Sequence, residues 1–406
     1  MLSERDIENL IQPILTRQEV INDYVVRKIA QRVKEIGQLL PSDVYKLERM
    51  LKSGSDVRKI NKELARLTGL QEKEIKQLIK KVAKTHYIDA KPFYDYRKLA
   101  FIPFEKNVAL QNVVNAIADS TVKSYVNLSS ARAFMLRDLK NSSKLIPTSL
   151  SKAYYSIIDE AVQASQSGVV DYNTAMRRTL TQLADSGIRY VEYNSESGRK
   201  YTQRLDTAVR RNLLDGIKAI NQGVQDEIGK QYGADGKEIT VHLNSAPDHE
   251  PIQGHQFTNE EYEKLQNSEP FKDVNDKHFS AIARHIGQYN CRHFTYSIII
   301  GVNKPNFTQA QLDEMIRKNQ KGYTTSSGKH YTMYECTQKQ RELETKIRTY
   351  KQRQMAFDAS GDLEGAKDAQ AKVSQYMKEY TKFSEACGLS LKKDRMLISG
   401  YRRKKY

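Results

Sequence analysis

Tryptophan is absent from this 406-residue chain, and cysteine occurs only at Cys291, Cys336 and Cys387. Three widely spaced thiols do not close a disulfide framework, which points to a reducing compartment. No apolar run reaches the roughly 18 residues that a membrane-spanning helix needs, so no membrane partner is expected. The longest such run is a short β-type stretch around residues 296–300. The opening MLSERDIENL is acidic and mixed, unlike a signal peptide. There is no Walker loop, no GxGxxG behind a strand and no GxSxG, and neither a repeat nor a low-complexity tract is evident. No cofactor is implied.

What the chain has in excess is positive charge. Lysine and arginine number 66 against 49 acidic residues, a net charge of +17, with a pI near 9.4. Such a field attracts polyanions, nucleic acid first among them. Hydrophobic residues make up 39% and charged residues 28%, which predicts modest cores and long solvated helices. The expected fold class is mainly α with a small α+β domain. We divide the chain into an N-terminal helical region (1–89), an aromatic and proline-punctuated segment leading into further helices (90–185), an α+β domain (186–310), a helical hairpin or arm (311–387) and a basic tail (388–406).

Helical spacing is clear in Leu10, Ile11, Ile14 and Leu15, and again in Ile21, Tyr24, Val25 and Ile29, with Pro13 at a first turn or a break. Pro41-Ser42-Asp43 predicts a helix start capped by Ser42. Residues 53–82 predict two helices around Thr68-Gly69-Leu70, in outline a helix-turn-helix, although any helical hairpin looks the same. Residues 90–105 predict a loop or crossing segment, 107–185 helix, with a cap at 171–174, and 188–193 a short strand. Two helices are expected between Asp206 and Tyr232, broken near Gly223 and closed by Gly233, then a strand at 239–243. Leu343, Ile347 and Tyr350 mark one face of the C-terminal arm. The final LKKDRMLISGYRRKKY holds seven Lys/Arg against one Asp.

The chemistry-bearing stretch is SAPDHEPIQGHQF, residues 245–257, followed by NCRHF. His242, His249, His255, Cys291 and His293 are all competent zinc ligands. Their spacing is loose except for Cys291-Arg292-His293, where one intervening residue on a strand puts both side chains on one face. Cys291 beside a histidine is also the makings of a thiolate pair, while His285 reads as an ordinary helix histidine. The reading adopted is structural. Pro247 and Pro251 bracket a polar loop, Gly254 permits a turn, and Asp248, His249 and Glu250 satisfy loop backbone, as do Asn290 and Arg292 from the second strand. A buried Arg292 would take Asp248 or Glu250 as partner. No metal is assigned, His249, His255, Cys291 and His293 being the weak candidates.

At these residues the chain resembles the phage minor capsid protein 2 family, within the wider group of Mu F-like head morphogenesis proteins. The resemblance rests on SGRKYTQRLDTAVRRNLLDGI, GADGKEITVHLNSAPDHEPIQGHQF, NCRHFTYSIIIGVNKP and YECTQKQRELETKIR, in order, over roughly residues 195–350. The family loop corresponds to Ser245, Pro247, Asp248, His249, Gln253, Gly254 and Phe257, and its second segment to Asn290, Cys291, Arg292 and His293. His293 stands where Mu F-like relatives often carry a second cysteine. The resemblance implies a non-enzymatic virion component present in few copies on the inner side of the head, near the portal, and in the host cytoplasm during assembly. Its implied partners are portal protein and major capsid or scaffold proteins. The basic tail, with Lys392, Lys393, Arg395, Arg402, Arg403, Lys404 and Lys405, suits contact with the portal or with double-stranded DNA. Two rivals differ in kind: an enzyme delivered with the DNA and using His249, Cys291 and His293, and a stand-alone DNA-binding protein using residues 53–82 and the tail.

Overall fold

The computed structural model describes residues 4–37, 55–130, 132–137, 145–167, 172–193, 200–267, 286, 291 and 293–406. Helix α1, Glu4–Gly37, buries one stripe formed by Ile11, Ile14, Leu15, Ile21, Val25, Ile29 and Val33. Pro13 lies inside this helix and neither starts nor breaks it. The proline removes one backbone bond, but burial of Ile11, Ile14 and Leu15 around it outweighs that loss. The helix start expected at Pro41-Ser42-Asp43 lies outside the described residues.

Helix α2, Ser55–Asp89, is continuous, which corrects the expected break at Thr68-Gly69-Leu70 and with it the helix-turn-helix outline. Its buried positions Ile60, Leu64, Leu67, Gln71, Ile75, Leu78, Ile79 and Val82 keep three- and four-residue steps straight through Gly69. Nothing packs within 4 Å of a side chain added at Gly69, so that glycine costs propensity without ending the helix. The buried Gln71 amide donates to the Ile14 carbonyl at 2.9 Å and accepts from Tyr125, satisfying both its ends.

The segment 90–105 holds short helix α3, Lys91–Arg97, and a 3-10 turn, Phe104–Lys106, where a loop was expected. Aromatic packing orders it. Phe101 stacks on Tyr87 at 4.8 Å and meets Tyr94 edge-on at 5.3 Å. Helix α4, Val108–Ser130, follows. The helical expectation for 107–185 then needs a second correction, because β1, Arg132–Arg137, and β2, Leu145–Ser149, form a hairpin there. Helices α5, Leu150–Ser167, and α6, Tyr172–Ser186, come next; Asp171 of the expected cap, like the turn at 194–199, lies outside the described residues. Strands β3, Arg189–Tyr193, and β4, Lys200–Arg204, complete an antiparallel sheet of order β2-β1-β3-β4.

Helix α7, Leu205–Tyr232, is one helix, without the break expected near Gly223. Its glycines are contact points. A Cβ on Gly216 would meet Thr121 of α4 at 2.7 Å and Ile79 of α2 at 3.2 Å, and one on Gly223 would meet Val113 of α4 at 2.7 Å. Leu205, Val209, Leu213, Ile217, Ile220, Val224 and Ile228 bury the rest of that face in the main core, which also takes in residues of α1, α2, α4, α5 and α6. Gly233 closes α7 with φ 71°, as its position predicts.

Beyond α7 lies a small lobe. Strands β5, Gly236–Ile239, β6, Gln256–Thr258, and β7, Thr295–Ile298, form an antiparallel sheet of order β6-β5-β7, with helix α8, Asn259–Asn267, after β6. Strand β5 starts before and ends before the expected 239–243. Helix α9, Gln309–Lys321, and helix α10, Met333–Ser360, each begin with a reciprocal capping box, Thr308 with Gln311 and Thr332 with Glu335. Between them runs the two-stranded hairpin of β8, Tyr323–Thr324, and β9, His330–Tyr331. Helices α10 and α11, Leu363–Ala386, make the expected antiparallel hairpin. It docks on the body: Arg177 of α6 grips Asp362 at the turn with two bonds of 2.7 and 2.8 Å, and Arg353 grips Asp185.

A buried ionic seam joins α1, α7, α10 and the tail. Glu8 pairs with Arg210 and, at 2.8 Å, with Arg395; Asp206 pairs with Arg348 at 2.7 Å and Arg204 at 3.3 Å. Burial pushes the Asp206 carboxyl up, but Arg204 and Arg348 outweigh it and hold it down at about 2. Glu19 lies in the same seam with the opposite balance. Burial, and then repulsion from Asp206, push it up to about 8 against the pull of Arg348, Ser399 and Arg204. Glu19 is therefore protonated in the folded protein at neutral pH.

Two outcomes follow. Gly216→Val drives two methyls into Thr121 and Ile79 and should cost about 1–3 kcal/mol in urea unfolding; an unchanged midpoint would contradict the close approach of α7 to α4 and α2. Glu19 has a folded pKa above its unfolded one, so its favourable contribution is complete below about pH 4.5 and is lost as pH rises through about 8. Glu19→Gln should thus match the parent near pH 5 and exceed its stability near pH 9, and parallel pH profiles for the two proteins would reject the assignment.

Candidate functional site

The polar stretch 245–257 connects β5 to β6 and folds as consecutive turns. Backbone amides of His249 and Glu250 donate to the Ala246 carbonyl at 3.0 Å, and that of Gln253 donates to the His249 carbonyl at 3.2 Å. The Gly254 amide returns to the Ile239 carbonyl at 2.8 Å, which closes the loop on its own strand. Gly254 has φ 76°, and a Cβ there would meet Leu312 of α9 at 2.7 Å, so both backbone and space demand glycine. Asn319 of α9 clamps the loop from outside, donating to the Glu250 carboxylate at 2.8 Å and the Ser245 carbonyl at 3.3 Å, while accepting from the Tyr334 amide. Burial pushes the Glu250 carboxyl up, with Asn319 opposing.

The second segment runs beside the first. Thr240 and Phe294 exchange two bonds, the Thr240 amide to the Phe294 carbonyl at 2.9 Å and the Phe294 amide to Thr240 Oγ1 at 3.1 Å. This extends the β5–β7 pairing past Ile239 and Thr295. Cys291 and His293 meet just ahead of β7, outside the strand whose alternation the one-residue spacing assumed. Cys291 Sγ lies 3.3 Å from His249 Nδ1 and 3.4 Å from His293 Nδ1. All three side chains are buried, at 6%, 1% and 4% exposure, and their ligand atoms lie within 4.8 Å of one another.

The surroundings set the ring orientations. Gln253 Oε1 accepts from the His242 backbone amide at 2.9 Å and faces His293 Nε2 at 3.2 Å. His249 Nε2 faces the buried Asp248 carboxylate at 3.9 Å. The half-buried His242 ring stands edge-on to His293, 4.7 Å between centroids. Lys218 of α7 is nearby: burial pushes its ammonium down, while Asp215 and then Cys291 oppose that shift.

Of the residues that the sequence singles out, then, His249, Cys291 and His293 come together, Asp248 and Gln253 flank them, and Ser245, Glu250 and Gly254 hold the loop. Pro247 is exposed, and Phe257 packs against the lobe's own apolar cluster. His255 is half-buried and outside the cluster; burial lowers its pKa against the pull of Asp313. Asn290, Arg292 and His285 lie outside the described residues, as does the pairing expected between Arg292 and Asp248 or Glu250.

Sequence reasoning missed the supports. Gln222 of α7 accepts from the Thr295 amide at 2.8 Å and Gln225 donates to His86 at 2.9 Å, so α7 grips β7 and α2 at once. Burial lowers the His86 pKa, and its ring stands edge-on to Phe294 at 6.3 Å. Glutamines one helical turn apart on a mostly apolar helix were the available signal, a faint one.

The tail residues divide. Arg395 is partly buried against Glu8, with Glu344 at 3.9 Å, and Lys392 is half-buried. Lys393, Arg402, Arg403, Lys404 and Lys405 are exposed. The backbone of the last residues is pinned: Gln370 exchanges bonds with Lys404 at 2.8 and 2.7 Å, and Gln354 donates to the Arg402 carbonyl at 3.2 Å.

No helix among the described residues is long and apolar enough to cross a membrane. No curated protein and no solved structure matches the chain. A family does: Phage minor capsid protein 2 matches residues 2–385, including the N-terminal helices, the lobe with its Cys/His cluster and the C-terminal hairpin. With a match over nearly its whole length, the chain belongs to the phage minor capsid protein 2 family.

Proposed function

We propose that this virion component is a low-copy structural protein seated on the inner side of the head beside the portal, where it acts in head assembly and contacts packaged DNA. Family membership supports the virion part of the reading. Its neighbours are then portal protein and major capsid or scaffold proteins. Virion assembly would take place in the host cytoplasm.

The observation that carries the DNA-facing part is the pinned basic strip. Arg402, Arg403, Lys404 and Lys405 are exposed, while Gln354, Gln370 and Tyr406 fix their backbone on the α10–α11 hairpin. A fixed row of cations loses less side-chain and chain freedom on meeting phosphates than a floppy tail would. Neutralising phosphates releases condensed counterions, which favours binding without sequence readout. Lys404 also reaches Asp358 at 3.1 Å, and that partly exposed pair is weak enough to yield to a phosphate. Such contact requires no turnover and no cofactor, in keeping with a structural role. The burial of His249, Cys291 and His293 favours that role over an enzyme. The continuous α2 leaves the stand-alone DNA-binding reading without its recognition helix.

The salt dependence of double-stranded DNA binding tests the strip. Replacing Arg402, Arg403, Lys404 and Lys405 by glutamine should flatten the slope of log K against log salt by about 0.9 for each phosphate no longer neutralised, up to roughly 4 in all. An unchanged slope and affinity would remove the tail from DNA contact.

A further inference from the structure

We infer that Cys291, His249 and His293 form a binding site for a zinc-class divalent cation that staples the 245–257 loop to the segment entering β7. The first support is geometric. Zinc held by a thiolate at about 2.3 Å and an imidazole at about 2.0 Å in a tetrahedron separates sulfur from nitrogen by about 3.5 Å. The two Sγ–Nδ1 separations are 3.3 and 3.4 Å. The third pair of donor atoms, on His249 and His293, lies within 4.8 Å.

The second support is the protonation state that the surroundings impose. The His242 backbone amide can only donate, so the Gln253 atom facing it is the carbonyl oxygen. That oxygen can only accept, so His293 carries its proton on Nε2 and turns the Nδ1 lone pair toward Cys291. His249 Nε2 faces the Asp248 carboxylate at 3.9 Å, an electrostatic bias toward a proton on that nitrogen. A cation between the three atoms would take up the sulfur and both Nδ1 atoms at once. Ligand imidazoles commonly donate their outer N–H to a carbonyl or carboxylate, as His293 does to Gln253.

The third support is where the loop lies. Among the described residues, the lobe's apolar cluster comprises buried Ile239, Ile252 and Leu265, with Phe257, Tyr262 and Ile286 packed around them. The polar 245–257 loop gives Ile252 and Phe257 to that cluster, and a cation tying its His249 to Cys291 and His293 would add its binding free energy to the hold on the loop. On binding, the Cys291 thiol gives its proton to solvent, and its thiolate sulfur and the two Nδ1 lone pairs coordinate the cation. No electron transfer is involved. The bound set carries one net positive charge, which the neighbouring Asp248 carboxylate offsets. The His242 ring stands edge-on to that of His293, 4.7 Å between centroids. The sulfur and nitrogen donors select zinc over magnesium or calcium.

The test uses the full chain, purified without chelator, with metal content measured by elemental analysis and the stripped protein titrated with Co(II). The expected result is about one equivalent of zinc per chain, and a tetrahedral Co(II) spectrum with a thiolate charge-transfer band. Cys291→Ser should abolish that band, and His293→Gln should abolish stoichiometric binding. Gln253→Ala should keep the band but weaken affinity by about 10- to 100-fold. Failure of folded parent protein to bind either metal would overturn the inference, as would a metal retained with its band by Cys291→Ser. The parent spectrum decides the matter even where a variant fails to fold.

Discussion

Helix α7 is the constraint on which the rest of the molecule depends. Its Gly216 and Gly223 let it approach α4 and α2 more closely than any side chain would allow. Its apolar face completes the main core. Its C-terminal half turns polar toward the lobe, where Gln222, Gln225 and Gly229 meet Thr295 and Ser297 of β7. One rigid rod therefore holds both the helical body and the strand beside the Cys/His cluster. The body helps set the position of the cluster through these side-chain to backbone bonds.

The excess of positive charge is also organised by the fold. Much of the arginine in the C-terminal half is consumed internally. Arg204, Arg210, Arg348 and Arg395 face Glu8, Asp206 and Glu344 in the buried seam, and Arg177 and Arg353 fasten the hairpin. Desolvated pairs of this kind contribute fixed geometry more than net stability. The seam explains why the hairpin and tail are parts of the body: Arg395 of the tail reaches Glu8 at the other end of the chain. What remains exposed at the end is a short strip of cations on a held backbone.

Much of this was legible in the sequence, and the failures have physical reasons. The stripes of α1 and α10 and the Gly233 closure follow from period and turn chemistry. Gly69 and Gly223 misled because a helix is ended by loss of its buried stripe, and the stripe runs past both. Pro13 misled because buried neighbours override one missing donor. Strands β1 and β2 were hidden because short apolar runs have no period long enough to tell strand from helix, and only their pairing with each other, and of β1 with β3, decides them. The loop backbone is met by its own turns, by Gln253 and by Asn319 of α9, and residue types within the loop could not name the last of these. The meeting of His249 with Cys291, 42 positions apart, was readable only as a candidacy, since it is created by the Thr240–Phe294 pairing and the Gly254 return.

The central claim is a place in the virion, and an asymmetric cryo-EM reconstruction of the mature head around the portal vertex addresses it most directly. The account predicts density inside the shell beside the portal that fits the α10–α11 hairpin, a pair of antiparallel rods about 40 Å long, with the tail end of the hairpin toward DNA. Density for the chain on the outer surface of the shell, or heads that lack it altogether, would contradict the account.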